Sequence, residues 1–66
     1  MPYASIEDLP RKIKSNLPIH AQEIYKGTFN NALERYLDES MAFKVAWSAV
    51  KKQYEKGPDG AWEKRV

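Results

Sequence analysis

The sequence predicts a mainly α protein, a compact three-helix domain with a small β ribbon formed by its termini. Three observations point there. Two Leu-Pro pairs, at 9–10 and 17–18, mark off a short segment near the N-terminus. The two longer stretches that follow repeat their apolar residues at helical spacing. A Gly-Pro-Asp-Gly run at 57–60 then turns the chain ahead of a Trp-containing tail. A chain of 66 residues has room for one core, so residues 1–66 read as a single domain.

The first element lies between the prolines. A proline suits the start of a helix, and the residue before it is pushed out of helical geometry. Pro10 to Asn16 therefore makes about two turns, too short to stand alone in water. Leu9, Ile13 and Leu17, four residues apart, are the apolar positions that dock it, with Arg11, Lys12, Lys14, Ser15 and Asn16 outside. The second helix runs from Pro18 to about Leu37. Ala21, Tyr25, Thr28, Phe29, Ala32 and Tyr36 gather on one side, flanked by Ile24 and Leu33; Glu23, Lys26, Asn30 and Glu34 take the other. Gly27 in its middle costs about 1 kcal/mol relative to alanine. The connection Asp38-Glu39-Ser40 offers Asp38 or Ser40 as a cap, and so short a link favours antiparallel neighbours.

The third helix is expected from about Met41 to Lys56. It carries an aromatic stripe, Phe43, Trp47, Val50 and Tyr54, beside a small-residue stripe, Ala42, Ala46 and Ala49. Two apolar stripes make it the central element, contacted from two sides. Gly57 and Pro58 end it. The ribbon is then expected between residues 2–5 and the tail around Trp62, with Tyr3 and Trp62 covering the core. The rings of Phe29, Tyr36, Phe43, Trp47 and Tyr54 are all assigned to the interior.

The composition excludes several kinds of chemistry. With no cysteine and one histidine there is no disulfide staple and no ordinary structural zinc site. The three glycines, 27, 57 and 60, form no phosphate loop. Serines 5, 15, 40 and 48 lack a nucleophile-elbow context. Glu34, Asp38 and Glu39 lack the alternating ligands and internal glycine of a calcium loop. His20, in the first turn after Pro18, suits a packing or capping role. The expectation is a chain that is not an enzyme and has no catalytic residue, metal, cofactor or small-molecule substrate. There is no apolar run near the ~20 residues of a membrane span, and none at the N-terminus, where Glu7 and Asp8 stand. A cytoplasmic protein is expected.

The remaining feature is basic surface. Lys44, Lys51, Lys52 and Lys56 lie on the third helix, opposed mainly by Glu55, with Lys44 and Lys51 seven apart on one face. If Arg11, Lys12 and Lys14 join them, the patch would meet phosphates or anionic headgroups. A solubilising face is the plainer reading of the same charges.

The stretches MPY, DLP, LPIHAQEIY, FNNALERY and KVAWSAVKKQYEKG, with the late Trp62, resemble the ChaB family of cation transport regulators, in order along the whole chain. The connection between the long helices is shorter here than in the bacterial member of that family. The resemblance implies three helices with a small β element and no catalytic residues. It also implies association with a membrane cation/proton antiporter. Similar domains in large DNA viruses, and beside modules resembling nucleic-acid-binding ones, keep a DNA- or RNA-linked role as the alternative. The expected contacts of a regulatory module on an antiporter's cytosolic face are His20, Gln22, Lys44, Lys51 and Lys52.

Overall fold

A computed structural model describes residues 3–65. Leu9 and Leu17 are extended, with ψ of 151° and 139°, as residues before proline must be. Between them α1 runs Arg11–Asn16, preceded by a single 3₁₀ turn, Ile6–Asp8, that the sequence pattern did not reveal. Leu9, Ile13 and Leu17 are all buried. Each contributes about 1.5–3 kcal/mol by leaving water, which offsets the poor intrinsic stability of so short a helix.

Helix α2 is Ile19–Tyr36 and α3 is Glu39–Gln53. Two residues join them. Leu37 closes α2 in the left-handed region, at φ 55°, with its N–H bonded to the Leu33 carbonyl. Asp38 then caps α3, its side chain accepting from the Ser40 and Met41 amides at 2.9 and 3.3 Å. The helices close on one another through small residues. Ala21 and Ala32 of α2, and Ala42 and Ala46 of α3, are almost wholly buried, with Val50 at the end of the same stripe.

This contact corrects the expected role of the rings. The small stripe of α3 faces α2, so the aromatic stripe is turned to the flank. Phe43 and Tyr36 are each 49% exposed, and neither is core. Trp47 is half-buried, whereas Phe29 and Tyr54 are buried as expected. Tyr25 is the ring at the centre, 1% exposed, with Phe29 at 6.0 Å, Trp47 at 5.7 Å and Phe43 at 6.4 Å between centroids.

The ribbon exists but joins other partners. Helix α3 stops at Gln53, and β1 (Tyr54–Lys56) pairs antiparallel with β2 (Trp62–Lys64) in the register Tyr54↔Lys64, Glu55↔Glu63, Lys56↔Trp62. The last three residues assigned to the third helix are thus a strand. The turn signal at 57–60 needs an arm on each side, and Tyr54 gains a buried position by supplying one. The Gly60 amide bonds the Gly57 carbonyl at 3.0 Å, and Gly60 takes φ 88°, a conformation that glycine adopts without the Cβ penalty. Among the described residues the N-terminal segment forms no strand; Pro2, part of that expectation, lies outside them. Instead the Asn30 side chain holds both backbone groups of Tyr3. The Tyr3 amide donates to Asn30 Oδ1 at 2.8 Å, and Asn30 Nδ2 donates to the Tyr3 carbonyl at 2.9 Å. Asn30 substitutes for the strand partner that the termini lack. Tyr3 packs on Phe29 at 5.0 Å, and Tyr3 and Trp62 both cover the core.

Candidate functional site

The residues expected to meet a partner separate into two groups. His20 and Gln22 are used inside the protein. His20 Nδ1 lies 2.9 Å from the Tyr54 hydroxyl and ties the start of α2 to β1. Gln22 is 7% exposed. Its Nε2 donates to the Leu17 carbonyl at 2.8 Å and to the Lys14 carbonyl at 3.2 Å. The second bond has a clear cause. In a continuing helix the Lys14 carbonyl would accept from residue 18, but Pro18 has no N–H. Gln22 supplies the missing donor.

Lys44, Lys51 and Lys52 are exposed on α3. Their spacing places Lys44 and Lys51 two turns apart on one face, with Ser48 between them. Lys44, Ser48 and Lys51, with Phe43, Trp47 and Trp62, line an open groove of about 530 Å³. Its floor is aromatic. Trp62 reaches Trp47 with centroids 5.4 Å apart, and Phe43 meets Trp47 edge-on at 6.3 Å. Lys52 faces the other flank of α3, beside Val45, Ala49 and Thr28.

A second groove, about 400 Å³, lies across the Phe43–Trp47 ridge, where Tyr3, Lys12, Ile13, Phe29 and Glu39 complete its wall. Lys12 of α1 therefore borders one groove and Lys44 and Lys51 the other. Lys14 donates to the Glu7 carbonyl at 3.0 Å. Tyr25, shared with the second groove, has its hydroxyl pushed up to about 12 by burial, with the neighbouring Tyr3 adding to the shift.

Sequence reasoning missed the aromatic part of this surface. It assigned Phe43 and Trp47 wholly to the core and left Trp62 as a cover. Only the ending of α3 at Gln53 brings the hairpin back along the helix and lays Trp62 against Trp47. Among the described residues no three of His, Cys, Asp or Glu converge as metal ligands. No described helix is long and apolar enough to cross a membrane.

Comparison with known proteins gives a consistent family. The ChaB family model matches residues 9–65. The protein of Escherichia coli K12 called "Putative cation transport regulator ChaB" is 47% identical over 75 aligned positions, covering 98% of this chain and 99% of its own length. The Shigella flexneri protein of the same name aligns to the same extent. A structure described as the "NMR solution structure of the putative cation transport regulator ChaB" superposes with a TM-score of 0.87 at 45% identity, over 98% of this chain and all of that one. The helices, the hairpin and the sequence thus lead to one assignment: the chain belongs to the ChaB family.

Proposed function

We propose that the chain is a non-enzymatic cytoplasmic interaction module that regulates cation transport by docking on the cytosolic face of a membrane cation/proton antiporter. The name carried by the relatives supports a link to cation transport. The observation that carries a docking role is the aromatic groove of Phe43, Trp47 and Trp62, open to solvent between Lys44 and Lys51. A small domain that leaves three large rings along one flank has a surface suited to a partner, because aromatics with a cationic rim are the usual makings of an interface core. Of the expected contacts, Lys44 and Lys51 belong to this surface. Lys52 borders it on the far flank, and His20 and Gln22 act by holding the scaffold.

The test is photo-crosslinking in the source cell from a reactive residue placed at Ser48, at native expression, with captured membrane proteins identified by mass spectrometry. A cation transporter enriched over a Phe43→Glu control supports the reading. Failure to enrich any transporter refutes it.

The alternative, a nucleic-acid accessory role, draws on the half-exposed Phe43 beside two lysines, an arrangement able to stack a base and meet phosphate. It requires anisotropy binding to duplex or single-stranded probes that weakens steeply with salt. No binding at high micromolar protein and low salt removes it.

A further inference from the structure

We infer that the Phe43–Trp47–Trp62 groove receives an acidic amphipathic helix from the partner protein, with two carboxylates seven residues apart placed on Lys44 and Lys51. The inference rests on the docking reading above and specifies the partner's chemistry.

Three features of the groove carry it. Its length is that of two helical turns, because Lys44 and Lys51 stand about 10 Å apart along α3 at 1.5 Å per residue. A ligand helix lying along α3 repeats its own face on the same interval, so apolar residues at i, i+3 and i+4 meet the rings while acids at the two ends meet the lysines. The floor is apolar and aromatic, so the recognised element brings apolar side chains and not charge alone. The rim is cationic at both ends, which selects acids over bases in the flanking positions.

On the ribbon Trp62 shares its face with Tyr54, Lys56 and Lys64, while Glu55 and Glu63 pair on the opposite face, away from the groove. The choice of a helix over a polyanion rests on the floor of three rings, which a phosphate backbone leaves uncovered. An added β-strand is not the ligand, since β2 offers an edge of only three residues.

The experiment uses the full chain, labelled with ¹⁵N, and three synthetic peptides. The first is a capped helical 15-mer with Leu anchors at i, i+3 and i+4 and glutamates seven apart at the flanks. The second carries lysine for those glutamates, and the third keeps the composition of the first in scrambled order. The acidic peptide should shift the amides of residues 43–51 and 62 and change Trp fluorescence, whereas the basic and scrambled peptides should not. The double variant Lys44→Glu/Lys51→Glu should weaken the acidic peptide about fivefold to thirtyfold, from two exposed ion pairs, and should gain binding to the basic peptide. Both lysines are exposed, so the variant should melt as the parent does, which verifies its fold. Absence of binding at millimolar acidic peptide, equal binding of acidic and basic peptides, or shifts confined to other surfaces overturns the inference. So does a duplex DNA probe, an anionic vesicle or a second copy of the chain occupying the same amides more tightly than the peptide. A transporter captured by crosslinking without acidic-peptide binding overturns this inference alone. Peptide binding without a transporter overturns only the identity of the partner.

Discussion

Replacing Gln22 by methionine tests how α1 is joined to α2. Methionine has a similar length and no cavity-forming loss of bulk, so the change isolates the amide. The bond to the Leu17 carbonyl is buried, and leaving that acceptor without a donor costs about 1–3 kcal/mol. The Lys14 carbonyl is only part-buried and recovers water, so its loss adds up to about 1 kcal/mol. The sum is about 1–4 kcal/mol, which in a domain of this size lowers Tm by roughly 5–30 °C. Circular dichroism melts with a parallel urea titration measure it. Gln22→Glu adds a check on mechanism. A neutral acid can donate one hydrogen bond to these carbonyls; a carboxylate can donate none and is repelled by both. The deficit of that variant should therefore be small in acid and open as pH rises past the ordinary glutamate value of about 4.3, where the unfolded chain ionises and the folded chain resists. A Gln22→Met variant that melts within about 3 °C of the parent, well under 1 kcal/mol, would refute the idea that the Gln22 amide sustains the Leu17 and Lys14 carbonyls.

Three further predictions concern other parts of the fold. Gly27→Ala should raise stability by about 1 kcal/mol, because a Cβ there meets nothing within 4 Å and the helix gains its best former; thermal melting measures it, and an unchanged or lower Tm would contradict an open helix surface at this position. Leu37 holds a left-handed conformation with its side chain 85% exposed, so Leu37→Gly should stabilise by about 0.5–1 kcal/mol after the added flexibility of the unfolded chain is subtracted; a loss in urea midpoint would show that the leucine makes a contact the free protein needs. The Tyr25 hydroxyl, held up at about 12, lies above the unfolded value near 10, so its contribution is complete below pH 10 and disappears as pH rises toward 12. Ultraviolet titration should show one late phenol, and Tyr25→Phe should abolish that phase; a single phase near pH 10 in the parent would place Tyr25 in contact with water.

The sequence by itself determined the elements whose cause is local. Proline set the breaks at Leu9 and Leu17, spacing of four set the docked face of α1, the Asp38-Glu39-Ser40 link marked the start of α3 to within two residues, and Gly57 to Gly60 set the turn. The motifs along the chain also pointed to the family. Tertiary structure decided which of two adjacent stripes on α3 meets α2. Period alone locates an apolar sector without choosing its facing edge, and the alanines won because they let the backbones close. That choice sent Phe43 and Trp47 to the flank and left the groove open. Contacts outside the helical repeat decided the rest. Tyr54 left the helix for a buried strand position beside His20, Asn30 took Tyr3 where a strand was expected, and Gln22 turned inward to a carbonyl that Pro18 had orphaned. The Tyr54–His20 and Asn30–Tyr3 contacts join residues 34 and 27 positions apart, which no helical window contains, and the Gln22 bonds, over five and eight positions, form only once the chain bends at Leu17 and Pro18.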